Sequence, residues 1–335
     1  MNNVIDWEIR DAESVGMRSD KLQELEKALN FQLGIINSVV VVRKGCIVFE
    51  KYLNGFGPQN SCDVTSVTQN IVSALVGIAI DLGYIKSVDQ KILDFFPEAA
   101  SSASDLLKHS LTIKHLLTMT APHAWKGREP LDRLRRQKDW TMFILKTLGQ
   151  KGKVGEFQYS LASAHLLSAI LTKSTGVSTR EFANEHLFRP LGMREIPDQK
   201  MKSFSKEDVF GKNINGWIKD PQDYNTGGWG LTLTPRDMAR FGYLYVNGGK
   251  WDNKQIISEK WIDESITQHS DDFGYLWWLR EDNKILTYIG AGIGGTYIYC
   301  IPEKELVVAI ASKMDKMIID RWELLEDYII PSVID

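Results

Sequence analysis

Two hydrophobic periods divide this chain. In SDKLQELEKALNFQLG, residues 19–34, leucines return at helical spacing behind a capping Ser19, and Gly34 supplies a stop. SVVVVRKGCIVFEKYL, residues 38–53, sets two β-branched runs around Arg43-Lys44-Gly45 and predicts a hairpin. The helical period returns in DVTSVTQNIVSALVGIAI, residues 63–80. There Val67, Ile71, Ala74, Leu75, Ile78 and Leu82 share a face, and Gly83 ends the run. Ser66 then stands at the mouth of that helix, with Gln69, Asn70 and Ser73 on a more polar stripe.

From about 85 to 210 short helical patterns are divided by Gly, Pro and polar loops: TIKHLLTM (112–119), WTMFILKTL (140–148), SAHLLSAILTKSTG (163–176) and STREFANEHLF (178–188). GGWG (227–230) marks a turn before another helix, TPRDMARFGYLYVNGG (234–249), with Pro235 suited to its first turn. Near the C-terminus the period changes to two. YLWWLR, KILTYIG, GTYIYCI and ELVVAIAS read as strands, the last two joined through Pro302-Glu303-Lys304, and a helix over roughly 315–330 closes the chain. Strands at both ends and helices between predict an α/β plus all-α fold: one antiparallel sheet built from both chain ends, flanked by helices, with an inserted helical lobe. Residues 1–84 and 211–335 would form the sheet lobe and 85–210 the helical lobe. A small-molecule site is expected in the cleft between them.

Composition narrows the function. The chain has 335 residues, 43% hydrophobic and 25% charged, with a net charge of −3. That suits a soluble globular protein and gives a nucleic acid no reason to bind; RLRRQK (133–138) reads as a solvated face. No apolar run approaches the roughly 18 residues of a membrane span, and the N-terminus lacks a secretory pattern, so a cytoplasmic protein with no membrane partner is expected. Cys46, Cys62 and Cys300 lie far apart, as reduced thiols would, and the six histidines form no metal motif. Neither a metal nor an organic cofactor is expected.

Serine is a favoured N-cap residue, so position alone makes Ser66 a cap. The same helix-end N–H groups would also stabilise a serine nucleophile and the oxyanion formed from its substrate. The order of elements decides between these uses. A hairpin, then a serine opening an apolar helix, a helical insert carrying Tyr-Ser, and a Gly-rich strand resembles the serine β-lactamase and penicillin-binding-protein superfamily. The resemblance is to the branch of class C β-lactamases, D-alanyl-D-alanine peptidases, β-lactamase-fold esterases and nylon-oligomer hydrolases. It extends over nearly the whole chain, through TIKHLLTMT, SAHLLSAILTKSTG, FANEHLFRPLGM, GGWGLTLTPRDMARFG and FGYLWWL.

The resemblance makes Ser66 the acylated serine and Tyr159, in FQYSL, the general base. It makes Gly292, in IGAGIGG, the glycine of the third motif and the Ile293 N–H an oxyanion donor beside that of Ser66. Three departures follow. Gln69 replaces the family's lysine, Leu161 replaces the asparagine of class C enzymes, and neither 290 nor 291 is a lysine or histidine. The last argues against recognition of the carboxylate of a β-lactam or a D-alanyl peptide. Trp125 and Trp229 would line the cleft mouth or pack in the core.

An amide takes no proton from serine at neutral pH and carries no charge to favour a phenolate, so Gln69 removes two functions of the lysine together. The expected activity is acyl transfer from small esters or amides to Ser66, with impaired turnover. One alternative is an enzyme recruiting another base: His123, from a loop bordering the cleft, or His165, which its apolar helix makes structural. The other is a binding or sensory relative that keeps the pocket.

Overall fold

The β-branched runs at the two ends of the chain find each other in one sheet. A computed structural model describes residues 7–31, 35–100, 106–125, 129–211, 213–313 and 320–334. After a 3-10 turn, Ala12–Val15, come α1 (Ser19–Phe31), β1 (Ile36–Arg43), β2 (Cys46–Tyr52), the short β3 (Cys62–Asp63) and α2 (Thr68–Asp81). Seven short or medium helices follow: α3 (Leu106–Ser110), α4 (Ile113–Leu117), α5 (Leu131–Leu134), α6 (Trp140–Thr147), α7 (Leu161–Thr175), α8 (Thr179–Ala183) and α9 (Lys206–Phe210). Then come β4 (Thr232–Leu233), α10 (Pro235–Val246), a small hairpin of β5 (Lys250–Trp251) and β6 (Lys254–Gln255), and α11 (Glu259–Ile266). The last strands are β7 (Trp278–Asp282), β8 (Ile285–Gly292), β9 (Thr296–Ile301) and β10 (Leu306–Ser312), and helical turns from Trp322 to Ser332 end the chain.

The main sheet has six antiparallel strands in the order β2-β1-β10-β9-β8-β7. Pairing of β1 with β10 joins the two chain ends, Val40 opposite Ala309 and Val42 opposite Val307. Alternate residues face opposite ways. Val39, Val41, Tyr299, Val308 and Ile310 pack with Leu22, Leu25 and Leu29 of α1 and with Trp322, Leu325 and Ile329. Val40, Val42, Ile298, Cys300, Val307 and Ala309 belong to the other core, with Phe241 and Leu244 of α10 and the apolar face of α2. Both faces of β1 are therefore buried, which is why its sequence is a continuous apolar run.

The predicted hairpins and the main helices form as their periods require, with three differences. The first helix ends its described span at Phe31, and Gly34 lies outside the described residues, as do 314–319 at the start of the expected last helix. The strand expected from Tyr275 begins only at Trp278. Leu276 takes a left-handed backbone, φ 63°, donates its N–H to Leu117 O at 3.0 Å and accepts Asn70 Nδ2 at 2.8 Å. Those bonds hold the chain in a turn and postpone the strand. Between Arg189 and Ser205 no helix forms, although the chain there is flanked by helical segments.

Candidate active site

Ser66 lies in a 3-10 turn, Thr65–Val67, that runs directly into α2. Neither start of this helical run carries a side-chain cap, so the N-cap use of Ser66 is not realised. Its hydroxyl instead lies close enough to the phenol of Tyr159 to lower the phenol's pKa.

The turn is built under constraint. Thr65, a β-branched residue, is held at φ 50°, where such residues are outliers. Its N–H donates to Asp63 Oδ1 at 2.8 Å and its carbonyl accepts Thr68 Oγ1 at 2.7 Å. Pairing of β3 with β4 and the bond from Val64 N to Leu231 O, 2.9 Å, fix the approach to the turn. Burial raises the Asp63 carboxyl to about 6, and its Oδ2 is buried without a partner.

Strand β8 closes against this turn from the other side. A Cβ on Gly292 would lie 2.2 Å from Thr65 Oγ1 and 2.7 Å from Val64 O. A Cβ on Gly290 would lie 2.9 Å from Asn70 Oδ1. Gly292 therefore serves close approach of the strand to the serine turn, and Gly290 its approach to α2, and not only a bend. Ile293 follows at the start of the β8–β9 turn, 43% exposed, beside Gly294 and Gly295, both at positive φ.

Tyr159 comes from the residues just ahead of α7. Gln69 Nε2, one turn into α2 from Ser66, donates to its phenol oxygen at 2.5 Å. Ser66, Gln69 and Tyr159 thus meet, and all three were legible in the sequence. Burial, the largest influence, raises the Tyr159 pKa; the Ser66 hydroxyl and the Gln69 amide pull it down, and the nearby Glu129 carboxylate pushes it up. The phenol is protonated at neutral pH.

Two residues here were missed. Trp278 stacks on Tyr159, ring centroids 5.9 Å apart at 20°, and packs edge-on against Phe157 and Phe273. FGYLWWL carried that signal, but nothing local says which tryptophan faces the site; Trp277 turns into the core against Phe241 and Tyr245. Glu129 is the other, a single acid in a polar loop, joined to the site only by the fold.

Other expected pocket residues lie elsewhere. His123 is not a cleft-border base. It is buried, bonds Ser163 Oγ through Nε2 at 2.9 Å, and burial lowers its pKa to about 3, so it stays neutral. Trp125 stacks on His123, centroids 4.4 Å apart, and faces a depression of about 480 Å³ with Arg133, Phe143 and Lys146. Trp229 is core: it is buried, donates to Val209 O at 3.1 Å and stacks on Trp140. His165 is fully buried with Asp220, 3.0 Å away. Leu161, the first residue of α7, packs partly buried against the core in the place of a polar motif partner. Among the described residues no three metal-ligating side chains cluster.

The antiparallel sheet with a serine turn wedged between its β8 strand and a facing tyrosine has the fold of penicillin-binding-protein and β-lactamase relatives. A β-lactamase family model matches residues 23–320, and the chain belongs to that family. It is 25% identical over 339 residues to the 6-aminohexanoate-dimer hydrolase of Paenarthrobacter ureafaciens, covering 93% of this chain and 81% of that one. Among solved structures, a penicillin-binding protein homologue from Caulobacter crescentus superposes with a TM-score of 0.70 at 17% identity, over 94% of this chain and 97% of the other. EstCE1, a hydrolase with promiscuous acyltransferase activity, superposes with a TM-score of 0.69 at 16% identity, over 93% and 98%.

Proposed function

We propose that the protein is a serine hydrolase that transfers the acyl group of small esters or amides to Ser66, and that Gln69 slows its turnover. The observation that carries this is the convergence of Ser66, Gln69 and Tyr159 on one strained, glycine-packed turn. In this mechanism Ser66 Oγ attacks the substrate carbonyl, and the oxyanion is held by the Ser66 and Ile293 N–H groups. The serine proton passes by way of Tyr159 to the departing alcohol or amine. Water then attacks the acyl-serine and releases the acid.

Gln69 weakens the proton transfers. The phenol that accepts from the Gln69 amide has, among the described residues, no cation beside it to favour its ionised form, so it is a weak acceptor for the serine proton. Positioned base catalysis is worth about 10² to 10⁴ in rate, which bounds what the missing lysine costs. The relatives support amides and esters as substrates: one is a 6-aminohexanoate-dimer hydrolase and another a hydrolase with acyltransferase activity. With Gly290 and Ala291 in the third motif, no lysine or histidine there recognises a substrate carboxylate, which disfavours β-lactams.

The test is hydrolysis of a short-chain nitrophenyl ester. Turnover abolished by Ser66→Ala supports the proposal; turnover unchanged by it refutes the assignment. The neutral Gln69–Tyr159 pair favours a second reading, a ligand-binding relative, which predicts thermal stabilisation by ligand that survives Ser66→Ala.

A further inference from the structure

Glu129 has no role in the mechanism above, yet its carboxylate is fastened to the residues that follow Tyr159. Its Oε2 accepts the Leu161 N–H at 2.8 Å. Its Oε1 accepts the Ala162 N–H at 2.8 Å and the Ser160 hydroxyl at 3.3 Å. The Ser160 hydroxyl also caps α7 by accepting the Ser163 N–H at 3.2 Å. The first three N–H groups of α7, which no helical carbonyl can serve, are thereby all satisfied. On the other flank, Met119 O accepts the Gln158 N–H at 2.7 Å. The backbone on both sides of Tyr159 is pinned, and Glu129 does the pinning on the side where the family's asparagine is replaced by Leu161.

We propose that Glu129 is a positioning residue of the acyl-transfer site, holding Tyr159 against Ser66 by gripping the start of α7 and coupling its own charge to the phenol. The catalytic part of this role rests on the acyl-transfer function proposed for Ser66; the placement of Tyr159 does not. Both carboxylate oxygens accept from backbone N–H groups, so the ionised form fits and glutamine does not: one of its two positions would set an NH2 against an N–H. Burial raises the Glu129 carboxyl to about 7 against the pull of these donors. The grip therefore strengthens as pH rises through neutrality, while the new negative charge makes Tyr159 harder to ionise. Asp63, beside the serine turn, is raised to about 6 and titrates alike in the parent and in variants of Glu129, so the step that reports Glu129 is the one lost in E129Q. His123, bonded to Ser163 on the first turn of α7, stays neutral; on α5, Asp132 is held low by Arg135, and the Arg133 guanidinium lies over the Phe143 ring.

The experiment places 3-fluorotyrosine at position 159 and follows its 19F resonance from pH 5 to 9 in the full chain and in Glu129→Gln and Glu129→Asp. In parallel, the rate of Ser66 labelling by a fluorophosphonate is read by intact mass. The expected result is a resonance step with a midpoint near pH 7 in the parent, absent in E129Q and retained in E129D, which keeps the charge. Labelling should fall about tenfold in E129Q, lose its inflection near pH 7, and recover in part in E129D. A resonance whose position and pH response are the same in the parent and a folded E129Q overturns the proposal. Loss of the step in E129Q with no labelling of Ser66 in any variant upholds the placement of Tyr159 and refutes the acyl-transfer function instead. Should E129Q fail to fold, E129D decides alone: an unshifted resonance without a step near pH 7 overturns the proposal.

Discussion

At the residue scale, the site surrounds Ser66 with ionisable groups whose charged forms burial disfavours. Asp63 illustrates the cost. Its carboxyl is raised from 3.8 to about 6 by burial, so the folded state binds a proton that the unfolded chain releases. This contribution to stability is complete below about pH 3.8 and is lost as pH rises through 6. Asn keeps the acceptor for the Thr65 N–H and does not titrate. The melting temperature of Asp63→Asn relative to the parent should therefore climb between pH 4 and pH 7, and thermal melts across that range check it; a flat difference would contradict the assignment. Ser66, Gln69 and Tyr159 were readable in the sequence because motif spacing carries them. Trp278 and Glu129 were not. Each depends on contacts between segments more than 30 residues apart, such as the Glu129 bond to Leu161.

At the scale of elements, the serine turn depends on how closely β8 can approach α2. Gly292→Ala would drive a methyl group into Thr65 Oγ1 and the Val64 carbonyl. A cost of about 1–3 kcal/mol is expected from overpacking, with a larger loss of Ser66 labelling because the strand must retreat from the turn. Chemical denaturation and labelling of the same variant separate the two. Asn70→Ala removes the bond to Leu276 O, 2.8 Å, that ties α2 to the turn ahead of Trp278. Leaving that carbonyl unserved should cost about 1–3 kcal/mol and loosen the stacking of Trp278 on Tyr159, read as a change in tryptophan fluorescence. Hydrophobic period found both elements. It could not find the left-handed Leu276, because a Tyr-Leu-Trp-Trp run has strand composition and the hydrogen bonds that bend it come from α2 and α4.

At the scale of the whole molecule, the two chain ends make one sheet and thereby bring β8 to α2. The period-two runs made that sheet legible, since β1 and β10 bury both faces and their sequences show it. The order of the strands was not legible, because it is set by which apolar faces remain to be covered. The face under α1 is the opposite face of the sheet from the one that packs against α2, which separates stability from chemistry. Leu25, fully buried there, should cost about 2–5 kcal/mol when replaced by Ala, as measured by denaturation, while Ser66 labelling in the folded protein stays unchanged.

The central proposal is that Ser66 is a nucleophile slowed by the replacement of the family's lysine by Gln69. Its most direct measurement is the rate at which a fluorophosphonate adds to the protein by intact mass, in the chain as it stands, in Gln69→Lys and in Ser66→Ala. The account predicts one slow adduct, mapped to Ser66, that disappears in Ser66→Ala and forms about 10²-fold or more faster in Gln69→Lys. No adduct on Ser66 in a folded Gln69→Lys protein, or one that persists in Ser66→Ala, would contradict it.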